Sequence, residues 1–145
     1  MKAENEFRLS FDSKSVNEGF SRAVVAAFAA QLDPTIEEIT DIKTAVSEAV
    51  TNCIVHAYRD TVGRIYISAA LTGDNTLRIN VRDRGCGIED VKKAMEPLYT
   101  TLGSERAGLG FAVMESFTDK LRVRSVPGKG TSVTLYKKIS GREQG

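Results

Sequence analysis

Apolar residues in this chain change their spacing from two to three-and-four and back again, and that order of periods leaves few folds open. Phe7, Leu9 and Phe11 alternate with Arg8 and Ser10, the pattern of a strand with one buried face. From Ser15 to Gln31 the repeat is helical, with Phe20, Val24, Val25 and Phe28 as its core stripe. Asp33-Pro34 predicts a helix start, with Asp33 as N-cap and Pro34 at the first helical position. That second helix runs to about Ala57 and turns Ile39, Ile42, Val46, Ala49 and Cys53 inward. Ile65–Leu71 and Leu77–Val81 flank a Gly73-Asp74-Asn75 turn and predict a hairpin. Glu89–Met95 predicts a short helix stopped by Pro97, and Tyr99–Ala107, without period, a mobile loop. Gly108–Phe117 predicts a helix, and Leu121–Val126 and Thr131–Lys137 predict strands joined by Pro127-Gly128-Lys129-Gly130, before a frayed end from Gly141. The order βααββ(α)αββ predicts one domain over residues 1–145, of class α+β. It is expected to be a two-layer sandwich, with a mixed, mostly antiparallel sheet and helices on one face.

Bulk composition sets limits on function. The 145 residues are 41% hydrophobic and 27% charged, a globular balance, and are enough for a proper core. Twenty basic against 19 acidic residues leave a net charge of +1, so no overall field draws the chain to nucleic acid or to a membrane. The apolar run Ala23–Ala30 is too short to span a bilayer, and Met1–Phe7 is too polar for a secretory signal. Cys53 and Cys86 form no disulfide framework and lack metal-ligand spacing. A cytoplasmic, thiol-reduced protein is expected.

Three short segments carry the chemistry. Glu48 and Asn52 stand four apart on the second helix, roughly 40° apart on one stripe that His56 continues. A carboxylate there suits proton transfer, and a carboxamide oxygen suits Mg²⁺ beside phosphates; a solvated helix edge is the plainer alternative. Asp83, at a strand end, is followed by Gly85 and Gly87, which allow close approach to a flat ligand; the carboxylate can accept a hydrogen bond from an exocyclic amine. An aspartate-capped turn has the same signature. Gly108-Leu109-Gly110 is expected to open a helix whose N–H groups suit an anion, with Arg106 just ahead. No Lys-Ser/Thr follows it, so it is not a Walker loop. Thr131 opens the last strand, where a hydroxyl is placed to bridge to a purine.

In this order the segments resemble the ATP-binding (Bergerat-type) family of DNA gyrase, Hsp90, histidine kinases and MutL. There the helical Glu/Asn motif is the N box, and Asp-x-Gly-x-Gly and Gly-x-Gly are the glycine boxes. Ser47–Asn52, Ala29–Thr35 and Glu96–Thr101 are further similar to the Bacillus sporulation anti-sigma F factors, which bind a sigma factor and phosphorylate a serine of an anti-anti-sigma protein. The resemblance spans about Phe7 to Lys138.

The resemblance implies ATP or ADP with Mg²⁺ as cofactors. Asn52 would hold the metal, Glu48 would be the base, and Asp83 would bind adenine between Gly85 and Gly87. Gly108, Leu109 and Gly110 would cradle phosphates under a lid, Tyr99–Ala107, that brings Thr100 to the nucleotide. Leu102 stands where related sequences carry lysine, which leaves Arg106 as the nearest cation for the γ-phosphate. It also implies as partners sigma factor F, an anti-anti-sigma factor with an acceptor serine, and a second copy of the chain. Arg22 and Glu105 are the candidate partner contacts. The one histidine lies on the N-box helix, so a kinase of this kind needs its acceptor on another protein. A histidine kinase is therefore not expected, and the length leaves no room for the second domain of a gyrase or MutL. The alternatives are a related stress-response anti-sigma kinase and a nucleotide-gated binding module without turnover.

Overall fold

The structure, a computed structural model, describes residues 2–95 and 105–141, apart from the side chains of Lys93 and residues 105–109. The alternating stretches form five strands: β1 (Ala3–Asp12), β2 (Arg64–Thr72), β3 (Thr76–Arg82), β4 (Lys120–Val126) and β5 (Gly130–Lys138). They lie in the order β1-β2-β3-β5-β4, and every neighbouring pair is antiparallel. The sheet expected to be mixed is thus antiparallel throughout these strands. The β4–β5 hairpin docks through its second strand, so β5 meets β3 antiparallel; β4, which runs parallel to β3, is kept to the far edge.

Period-two patterning puts Phe7, Leu9 and Phe11, Ile65, Ile67, Ala69 and Leu71, Leu77, Ile79 and Val81, and Val133 and Leu135 on one face. Four helices cover it: α1 (Val16–Ala29), α2 (Ile36–Asn52), α3 (Val91–Met95) and α4 (Glu105–Ser116). Val25, Ala29, Ile42, Ala45, Val46 and Val50 complete the core from the helix side. No helix among the described residues is long and apolar enough to cross a membrane.

Several helix boundaries differ from the sequence expectation. Asp33 does not cap α2; it sits in the left-handed region (φ 49°, ψ 56°) and closes the 3-10 turn Ala30–Leu32. The cap is Thr35, which with Glu38 forms a reciprocal capping box and starts the helix at Ile36, beyond Pro34. Two satisfied donors there outweigh the single one Asp33 offers. Phe20, expected in the core, is 51% exposed and meets only the edge of Phe11 at 6.1 Å between ring centroids. Helix α4 begins at Glu105, so Glu105–Ala107 are helical rather than loop, and Gly108-Leu109-Gly110 lies inside the helix rather than ahead of it. Pro97, Tyr99, Thr100 and Leu102 lie outside the described residues, as do the last four residues and the side chains of Glu105, Arg106 and Leu109.

Glu38 also fastens the end of the chain. Its Oε1 accepts hydrogen bonds from the N–H of Thr35 (2.9 Å) and of Gly141 (3.3 Å), and its Oε2 from the N–H and hydroxyl of Ser140 (2.7 and 2.8 Å). Burial works to raise its pKa, but these donors outweigh burial and bring it from 4.5 to about 2. The depressed pKa means the contribution is complete above pH 4.5 and fades as pH falls from there toward 2. Glu38→Ala is expected to cost roughly 3 kcal/mol near neutral pH, the scale of a few hydrogen bonds to a charged group. Thermal melting from pH 7 down to pH 3 checks it: the gap between wild type and variant should narrow on the acid side.

Candidate nucleotide site

Asp83 follows β3 directly and is pinned to the start of β5. Its N–H donates to Thr131 O at 2.9 Å, while its Oδ1 accepts from the N–H of Gly85 (2.9 Å) and of Thr131 (3.2 Å). Its Oδ2 has only the Cys53 thiol at 3.5 Å, a weak donor, so this oxygen keeps capacity for a ligand N–H. The residue is 6% exposed. Burial pushes its pKa up, and the hydrogen bonds from Gly85, Cys53 and Thr131 oppose that without cancelling it. Cys53 is itself buried, and its thiol is driven well above its usual range by that burial and by the neighbouring carboxylate. It packs rather than reacts.

The loop after Asp83 is held from four sides. Cys86 N–H donates to Ala57 O at 3.2 Å, and Gly128 N–H to Cys86 O at 2.7 Å. Ile88 N–H donates to Ser125 Oγ at 2.7 Å. Arg84 N–H donates to the Tyr58 hydroxyl at 2.6 Å, which in turn donates to Arg64 O at 2.7 Å. Gly87 has φ +76°, and a Cβ there would overlap the Val126 carbonyl, so both conformation and space require glycine.

The other wall comes from α2. After Asn52 the helix widens into a π turn, Cys53–Ala57, closed by Tyr58 N–H to Cys53 O at 3.0 Å. Such turns often occur where a helix presents groups to a ligand. Asn52 Nδ2 is buried without a hydrogen-bond partner among the described residues. A Cβ at Gly110 of α4 would stand 3.0 Å from both terminal atoms of that carboxamide, so the missing side chain is what lets α4 close over Asn52. Oxygen and nitrogen of an amide are exchangeable by a flip, so an orphaned carboxamide at a cleft wall fits a metal-bound ligand. No group of three or more His, Cys, Asp or Glu suited to a metal occurs among the described residues. A divalent ion here would therefore rest on Asn52 and on oxygens of the ligand, as Mg²⁺ commonly does.

These walls enclose a cleft of about 760 Å³ lined by Asn52, His56, Asp83, Gly87 and Thr131, with Ala49, Cys53, Phe111 and Val133 as apolar surface. Gly85 serves through its N–H to Asp83. Glu48 does not line the cleft. It is half-buried in a shallow groove with Ser47, Thr40, Thr44, Lys43 and Arg22. A stripe of residues four apart drifts about 40° per step, so Glu48 and His56 are about 80° apart and one cleft cannot take both ends. Arg22 is exposed and paired with Glu18 at 3.3 Å. Sequence reasoning missed Tyr58 and Ser125; the signal for Ser125 is a hydroxyl in the inward row of β4, after Leu121 and Val123.

Residues 11–137 match the model of the histidine kinase-like ATPase domain family. The chain is 63% identical to an anti-sigma F factor of Caldanaerobacter subterraneus subsp. tengcongensis, over 96% of this chain and 97% of that one. It is 53% identical to an anti-sigma F factor of Clostridium acetobutylicum, over 94% and 96% respectively. Among solved structures it is similar to the RsbU and RsbW domains of Rv1364c from Mycobacterium tuberculosis, with TM-score 0.69 and 26% identity over 93% of this chain and 32% of that one.

Proposed function

Since the chain belongs to the anti-sigma F factor family of histidine kinase-like ATPases, we propose that it sequesters sigma factor F and uses Mg-ATP in this cleft to phosphorylate a serine of an anti-anti-sigma protein. The observation that carries this reading is one cleft holding both a carboxylate oxygen with spare acceptor capacity, Asp83 Oδ2, and an orphaned carboxamide, Asn52.

Each residue then has a task. Asp83 Oδ2 takes the exocyclic amine of adenine, and the apolar wall at Ala49, Cys53 and Val133 packs the ring. Asn52 holds Mg²⁺, which would neutralise charge on the phosphates. Glu48 lies one helical turn away, about 6 Å along the axis, outside the cleft and in a groove open to a partner. It orients the acceptor serine and takes its proton; the serine oxygen bonds to the γ-phosphorus, the bond to the β–γ bridging oxygen breaks, and ADP leaves. Gly108–Gly110 and the stretch with Thr100, Arg106 and Leu109 remain the proposed phosphate contacts.

A nucleotide-gated binding module is the second reading, favoured by Glu48 lying outside the cleft. On either reading Arg22 and Glu105 are proposed partner contacts, and the protein works in the cytoplasm where a sigma factor is found. Strand β1, at the sheet edge, is the proposed route to a homodimer. Sedimentation of the protein with purified sigma factor F tests the binding half: a complex is expected with Mg-ATP, and none under any nucleotide condition would refute it. A free-protein mass of 15.8 kDa at working concentration would refute the homodimer.

A further inference from the structure

Behind the cleft, one hydroxyl ties together the two loops that shape it. Ser125 Oγ accepts the Ile88 N–H at 2.7 Å, lies 3.1 Å from Gly130 O, and lies 2.8 Å from Thr131 Oγ1. Ser125 is not among the residues lining the cleft, whereas Thr131 is. A hydroxyl carries one proton, so Ser125 donates either to Gly130 O or to Thr131 Oγ1. If it donates to Gly130, Thr131 must donate to Ser125 and turns only lone pairs toward the cleft. If it donates to Thr131, the Thr131 proton is released toward the ligand.

We propose that Ser125 is a positioning residue for base selection: by donating to Thr131 it turns the Thr131 hydroxyl into a donor beside the acceptor Asp83 Oδ2. An acceptor next to a donor complements adenine, which offers an amine at C6 and a lone pair at N1. It opposes hypoxanthine and guanine, which offer a carbonyl oxygen at C6 and an N–H at N1. This rests on the reading of the cleft as a nucleotide site. Thr131 works with Asp83 because the two are locked together, Asp83 N–H on Thr131 O and Thr131 N–H on Asp83 Oδ1. The Ile88 N–H, by occupying a lone pair on Ser125, fixes where the Ser125 proton can go.

Affinities for Mg-ATP and Mg-ITP, measured by calorimetry on wild type, Ser125→Ala, Ser125→Thr and Thr131→Val, test the proposal. Ser125→Ala is expected to lose about tenfold for ATP and little for ITP, which collapses the preference. Ser125→Thr, which keeps the hydroxyl, is expected to restore the preference. Adding Ser125→Ala to Thr131→Val is expected to cost nothing further, because Ser125 acts through Thr131. Equal losses for ATP and ITP in Ser125→Ala would mean that the hydroxyl only supports the loop, and would overturn the proposal. So would full additivity of the two substitutions, a comparison the Thr131→Val and Ser125→Thr pair also provides if Ser125→Ala does not fold. Wild type that binds neither nucleotide would overturn the nucleotide reading, and this proposal with it.

Discussion

Replacing Asp83 with asparagine is expected to weaken ATP binding by two to three orders of magnitude while leaving the fold in place, as titration calorimetry and melting would show. The carboxamide oxygen of asparagine can still accept from Gly85 and Thr131, so the loop keeps its anchor. The Oδ2 position, however, becomes an NH₂ that faces the Cys53 thiol and the adenine amine with a donor where each needs an acceptor. A site built around one buried polar group rejects a mismatch far more strongly than an apolar pocket rejects a methyl group. The wild-type affinity should also fall on acidification sooner than an ordinary carboxylate would dictate, because burial raises the Asp83 pKa. In Asp83→Asn that dependence should vanish.

Glu48→Gln is expected to lower phosphoryl transfer a hundred- to ten-thousandfold while leaving ATP affinity within about twofold. The separation follows from placement: Glu48 lies outside the cleft wall and is one turn from Asn52, so it touches the acceptor rather than the nucleotide. Asn52→Ala should lose both transfer and the Mg²⁺-dependent part of ATP binding, since Asn52 is itself on the wall. Rapid-quench transfer and equilibrium titration on the same preparations separate the two. A Glu48→Gln protein that binds ATP a hundredfold more weakly would place Glu48 in the cleft after all.

The strands and the major helices were legible in the sequence because burial on one face imposes a period, and β2, β3 and β5 follow theirs without a break. Asp83 and Asn52 were legible as a pair because a strand end and a helix stripe deliver them to one cleft. The parts that failed depend on contacts between distant segments. Thr35 displaces Asp33 as N-cap because Glu38 reciprocates and is held in turn by Ser140 and Gly141, from the far end of the chain. Gly110 was read as part of a helix opening, yet α4 has already begun at Glu105 and the glycine meets Asn52. The π turn at Cys53–Ala57 has no one-dimensional signature, and it carries α2 into the loop that Tyr58 and Arg84 fasten. Pairing order is similarly hidden, since nothing local tells β5 rather than β4 to sit beside β3.

The most direct test of the account is to incubate the wild-type chain with Mg-ATP and an anti-anti-sigma protein, and to locate any transferred phosphate by mass spectrometry. A single phosphoserine on the anti-anti-sigma protein, formed together with ADP, is the expected result. Tight ATP binding with no phosphate transferred would contradict the kinase, and would leave a module that uses nucleotide only to control its partner.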